Sequence, residues 1–111
     1  MKSFRTLDLA IEFYAQSEAV EVTGNLRDQL LRAASSISLN LAEGNAKWSV
    51  KEKKRFYQKA YGSAQECKTI FKLLKSENSE AAVTADRLSA SLYKLMMSNL
   101  TEVVDSRKTE N

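Results

Sequence analysis

The chain of 111 residues contains no proline and only three glycines, Gly24, Gly44 and Gly62. Proline is the strongest helix breaker, because it removes an amide donor and clashes with the preceding turn. Without it, a segment with a 3.6-residue apolar period continues until a glycine or a capping residue stops it. The apolar periods here are helical throughout, with no strand-like alternation, no solenoid repeat and no low-complexity tract.

Four helices are expected. Helix 1 spans about residues 4–22, with Leu7, Ile11 and Tyr14 recurring on one face. Gly24 is read as its left-handed cap, and Asn25, with Asp28 three residues on, as a capping box opening helix 2 over about 25–43. Leu26, Leu30, Ala33, Ala34, Ile37 and Leu41 form the inner stripe of helix 2, and Gly44 is expected to end it. The run Ser49-Val50-Lys51-Glu52 is a second capping box and starts helix 3, about 50–75. Phe56, Ala60, Ala64, Cys67, Ile70, Phe71 and Leu74 share one face of helix 3. Gly62 lies inside it and is read as a site of close helix approach. Helix 4 covers about 80–105, with Ala85, Leu88, Leu92, Leu95, Met96 and Val103 inward, and residues 106–111 form a frayed tail. Long helices joined by short loops predict one all-α domain over 1–111, an up-down-up-down antiparallel four-helix bundle.

Composition narrows the chemistry. Forty-three per cent hydrophobic and 28% charged residues suit a folded, soluble chain. With no histidine, neither Ser-His-Asp nor Cys-His catalysis is available, and a general base of the Arg-x(4–6)-His ribonuclease type is missing. One cysteine, Cys67, allows no internal disulfide and is read as a small core residue. No apolar run approaches a membrane span and no signal-peptide core follows Met1, so a cytoplasmic, non-enzymatic protein without metal or cofactor is expected.

Two further patterns bear on partners. Helix 1 carries a second apolar stripe, Leu9, Phe13 and Val20, helix 2 adds Leu31 and Leu39, and helix 4 adds Tyr93, Met97, Leu100 and Val104. Two-sided helices point to a homo-oligomer built on the outer faces of helices 1 and 2; the alternative is a wide monomer core with rotated helices. Charge is also segregated. Residues 1–46 and 76–111 each carry a net −2, whereas residues 47–75 hold nine basic and two acidic side chains, a net +7. Lys47, Lys51, Lys54, Lys68, Lys72 and Lys75 share one arc of helix 3, with Gln58, Tyr61 and Gln65 between them. A cationic stripe about 40 Å long fits phosphates, and the interleaved amides and phenol fit sugars or bases. RNA or DNA binding is therefore weighed against a solvated outer face and against a scaffold that docks an acidic protein.

A polar edge on helix 2, Arg32, Ser36, Asn40 and Glu43, is expected to meet Ser63 and Glu66 of helix 3. An Arg32–Glu66 pair should form there, with Asn40 bonded to backbone near the 45–48 loop. Carboxylates on these helices lack the histidine of the usual bundle metal sets. The stretch 26–34, then Ser36-Ile37, Asn40-Leu41-Ala42-Glu43-Gly44, Ser49, Phe56, Ala60, Gly62-Ser63 and Glu66, resembles the signature of the four-helix-bundle proteins encoded in 23S rRNA intervening sequences. The resemblance covers about residues 4–75, and the same superfamily includes the accessory variability protein of diversity-generating retroelements. It implies a ring-shaped homopentamer with a basic surface and, in the retroelement branch, nucleic acid and a reverse transcriptase as partners. It assigns Arg32, Asn40, Glu43, Ser63 and Glu66 structural roles. The chain departs from the family in lacking an aromatic-proline element before helix 2, and in having Lys47 where many members have arginine, which loses the bidentate fork.

Overall fold

The computed structural model describes residues 2–98. Four helices account for nearly all of them: α1 (Lys2–Glu18), α2 (Gly24–Ala46), α3 (Val50–Leu73) and α4 (Glu80–Met97). Each helix packs on its neighbours in the chain and α1 closes on α4, so the four surround one core in a body 47 Å long and about 20 Å across. The expected extension of helix 4 to 105, with Leu100, Val103 and Val104, and the tail at 106–111, lie outside the described residues.

The inner faces of α2, α3 and α4 follow their apolar periods. Leu30, Ala33, Ala34, Ile37 and Leu41 are buried against Ala60, Ala64, Cys67, Ile70 and Phe71, and against Ala85, Leu88, Leu92 and Leu95. Near the start of α3 the buried ring is Tyr57 rather than Phe56, which is half-buried.

Helix α1 is rotated from its expected face. Its buried stripe is Ser3, Thr6, Ala10, Phe13 and Ser17, which bisects the two apolar stripes read from the sequence. Leu7 and Tyr14 flank the core on one shoulder and Leu9 on the other, while Ile11 is 55% exposed. Phe13, expected at an oligomer interface, is instead a core residue whose ring meets Phe71 edge-on at 6.2 Å between centroids. Hydroxyls can line this inner face because they donate to their own helix, Thr6 Oγ1 to the Lys2 carbonyl at 2.8 Å and Ser17 Oγ to the Phe13 carbonyl at 2.9 Å. A wide core therefore accounts for the double stripe of α1. Among the remaining expected interface residues, Leu31 is half-buried and Leu39 is 66% exposed.

The helix ends also correct the sequence reading. α1 stops at Glu18, earlier than expected, and Val20 and Val22 turn back onto the core. Gly24 does hold a left-handed φ of +66°, but it opens α2; Thr23 is the N-cap, with no side-chain cap bond, and the Asn25–Asp28 capping box does not form. Gly44 does not end α2, which continues to Ala46. At the start of α3 the Ser49 hydroxyl accepts from the Glu52 amide at 3.1 Å, as the capping box predicts. α3 closes in a Schellman arrangement. The Ser76 amide bonds the Phe71 carbonyl at 2.9 Å and the Lys75 amide bonds the Lys72 carbonyl at 3.1 Å, with Lys75, not glycine, in the left-handed position at φ 56°.

Candidate nucleic-acid interface

The connection between α2 and α3 is held from inside. Gly44 is buried, and a Cβ there would lie 2.8 Å from Tyr57 Cε1, so the missing side chain is what lets that ring lie against α2. The Tyr57 hydroxyl donates to Asn45 Oδ1 at 2.7 Å, and Asn45 Nδ2 reaches the Ser3 carbonyl of α1 at 3.4 Å. Burial pushes the Tyr57 phenol above its usual pKa, and a hydrogen bond with Ser3 opposes that shift. Lys53, only 8% exposed, extends its Nζ to the carbonyls of Gly44 and Asn45 at 3.4 and 3.2 Å. An ammonium there bonds carbonyls at the C-terminus of α2, that of Gly44 also accepting from the Lys47 amide at 3.1 Å, and offsets that end's negative pole.

Outside this corner the expected cationic stripe is interrupted. Lys51, Lys72 and Lys75 are exposed and Lys54 is half-buried. Lys47 pairs with Glu43 at 3.6 Å and lies over the Phe56 ring, 5.1 Å from its centroid. Lys68 pairs with Asp86 of α4 at 3.4 Å, so α4 neutralises the middle of the stripe. Tyr61 packs on the edge of the core with its ring 6.0 Å from that of Tyr93. Two cations that the helical-wheel arc left out, Arg55 and Lys59, are exposed on the first turns of α3, and Lys59 Nζ lies 4.8 Å from the Phe56 centroid. Their signal was present in the nine-to-two charge count, but they lie beyond the edge of the arc chosen. Lys51, Lys54 and Arg55 line a shallow cleft with Glu52 and Gln58. Above the same corner Trp48 is 79% exposed, the most exposed of the large hydrophobic side chains described.

The polar seam between α2 and α3 forms, with different partners. Ser63 Oγ donates to Ser36 Oγ at 3.0 Å, rather than lying beside an Arg32–Glu66 pair. Asn40 Nδ2 donates to the Ser36 carbonyl and hydroxyl, on its own helix rather than at the loop. Arg32 and Glu66 are both exposed, and no ion pair joins them among the described residues; Arg32 lies opposite the buried stripe of α2. Glu43 serves Lys47. Cys67 is buried and its thiol is pushed up to about 12, by desolvation first and by the nearby Glu66 charge second. Among the described residues no three His, Cys, Asp or Glu side chains converge on a possible metal site, and no helix is long and apolar enough to cross a membrane.

Fold and surface together define a small four-helix bundle whose exposed cations are concentrated at the start of its third helix. The family model of the 23S rRNA-intervening sequence protein matches residues 3–102, and the chain belongs to that family. No curated protein and no solved structure matches the chain.

Proposed function

We propose that this protein is a non-enzymatic nucleic-acid-binding bundle that seats phosphates on the first turns of α3. The observation that carries this reading is the cluster Lys51, Lys54, Arg55 and Lys59, opposed on the same turns by Glu52 alone. Four phosphate contacts should give a salt slope of about −2.8 on a single strand, or a loss of about 50-fold in affinity between 50 and 200 mM salt. An unbroken stripe that also used Lys68, Lys72 and Lys75 would give about −4.9. The deciding measurement is a salt titration of RNA and DNA binding by the wild type and by Lys51→Glu/Arg55→Glu/Lys59→Glu. These side chains are exposed, so helicity should persist while binding is lost. Binding that ignores salt, or that survives the triple reversal, refutes the reading; an acidic protein partner would then be the better candidate for this face.

Self-association belongs to the same proposal. Its surface is narrower than the sequence suggested, because Phe13 is internal, and it centres on exposed Leu39 of α2 and exposed Phe4 and Ile11 of α1. The up-down-up-down course fits the short connections and the closed ring of helix neighbours. A pentamer would scatter as about 62 kDa, five copies of a 12.5 kDa chain, and a mass near 12.5 kDa at micromolar concentration would remove the oligomer from the proposal.

A further inference from the structure

We infer that the α2–α3 corner is a stacking platform for an unpaired base, with Trp48 as the contact, so that the ligand class is single-stranded nucleic acid or a looped-out nucleotide rather than continuous duplex. The inference rests on the nucleic-acid reading above and adds to it the kind of strand that is recognised.

Trp48 is the only tryptophan of the chain and stands 79% exposed on the short connection between Ala46 and Val50. Its sequence neighbours are polar: Lys47 and Ser49 flank it, and Lys51 follows on the first turn of α3. An indole so placed offers a flat π-surface beside phosphate-binding cations, the combination by which single-strand binders hold successive nucleotides. In a continuous duplex both faces of each base are already stacked, so the exposed indole surface is matched by an unpaired or extruded base.

The platform is also fixed in place. Gly44 seats Tyr57, Tyr57 holds Asn45, Asn45 reaches Ser3 of α1, and Lys53 ties the last carbonyls of α2. A rigid connection loses little freedom when a base docks on it. Charge selects the occupant. Lys51, Lys54, Arg55 and Lys59 beside the platform are opposed on the same turns by Glu52 alone, so two copies meeting at this corner would repel, whereas a polyanion is attracted.

The sole tryptophan makes the test direct. Wild-type protein is titrated, with fluorescence as the readout, against an unstructured 20-nucleotide RNA, the same RNA annealed to its complement, and vesicles of anionic phospholipid. The expected result is quenching by the single strand and tighter binding to it than to the duplex. Trp48→Ala should weaken single-strand binding by about 5- to 150-fold, the loss of one stacked base, with the salt slope unchanged and Trp48→Phe recovering most of the affinity. Single-strand affinity that is unchanged in Trp48→Ala, while the α3 charge reversal still abolishes binding, overturns the stacking site and leaves the nucleic-acid function standing. A fluorescence response to vesicles and not to RNA overturns it in favour of a lipid surface. No binding of either nucleic acid at low salt overturns both readings.

Discussion

Replacing Gly62 by alanine should stabilise the protein, whereas replacing Gly44 by alanine should not. Both glycines lie inside helices, where alanine is favoured by about 1 kcal/mol, so that gain is common to the two variants. The difference is steric. A Cβ at Gly44 would stand 2.8 Å from Tyr57 Cε1, 3.0 Å from Tyr57 Cδ1 and 3.1 Å from Phe56 Cβ. The Tyr57 ring has little room to retreat, because it is buried and its hydroxyl is held by Asn45 at 2.7 Å, and Phe56 Cβ moves only with the backbone of α3. Overpacking of this kind costs about 1–3 kcal/mol, which leaves Gly44→Ala neutral to about 2 kcal/mol less stable than wild type. At Gly62 nothing among the described residues lies within 4 Å of the new Cβ, so Gly62→Ala should keep the whole gain of about 1 kcal/mol. Urea denaturation of the two variants and the wild type reads the comparison, and the gap between the variants isolates the steric cost. Equal stabilisation of both would mean that α2 and α3 do not approach closely at Gly44, and the account of how the corner is held would fall with it.

Two other measurements probe the ends and the interior of α3. Lys75 occupies a left-handed position that costs a non-glycine residue roughly 1–2 kcal/mol, so Lys75→Gly should raise stability by about 1 kcal/mol in the same urea assay; no gain would mean that the Schellman turn is relaxed with lysine in place. Cys67 keeps its proton in the folded state up to a pKa of about 12, against 9.0 as its ordinary value, so the unfolded chain loses that proton first. Its contribution is therefore intact below about pH 9 and is lost as pH rises from there toward 12. Melting temperature should fall more steeply over that interval in the wild type than in Cys67→Ala, and parallel curves would contradict the buried thiol.

How much was legible in the sequence divides by residue type. Faces built from leucine, isoleucine, phenylalanine and alanine at helical spacing were readable on α2, α3 and α4, because burying those side chains dominates the choice of face. The Ser49 cap was readable because its bond is local to four residues. α1 was misread because Ser3, Thr6 and Ser17 line its inner face, and a hydroxyl that can bond its own helix carries no apolar signal. The glycines are harder to read for a related reason: whether a missing Cβ serves a turn or a contact depends on the neighbouring helix, so Gly44, expected to end α2, is instead the site of close approach, and at Gly62, expected to be that site, a Cβ meets nothing within 4 Å. At the site, charge counting located α3 as the cationic helix. It did not reveal that Asp86 reaches Lys68 from α4 or that Lys53 turns inward, since both depend on tertiary neighbours. Trp48 gave no signal as a contact residue until the corner around it was defined.

The internal neutralisations decide how large a ligand this surface engages. The negative end of α2 and the positive end of α3 meet at the same corner, and their partial charges of about half a unit each largely cancel. Lys53 then offsets the carbonyls of α2, and Glu43 offsets Lys47, so neither contributes much to the outward field. Farther along, the Lys68–Asp86 pair separates the first turns of α3 from Lys72 and Lys75. What faces outward is therefore two patches, a stronger one over Lys51, Lys54, Arg55 and Lys59 and a weaker one at the far end of the helix. Their centres are about 28 Å apart along the helix axis at 1.5 Å per residue, so a short strand held at the first patch does not reach the second. A salt slope that stays near −2.8 when the RNA is lengthened would mean that the first patch acts alone; a slope that steepens toward −4.9 would mean that a longer strand bridges both and displaces Asp86 from Lys68.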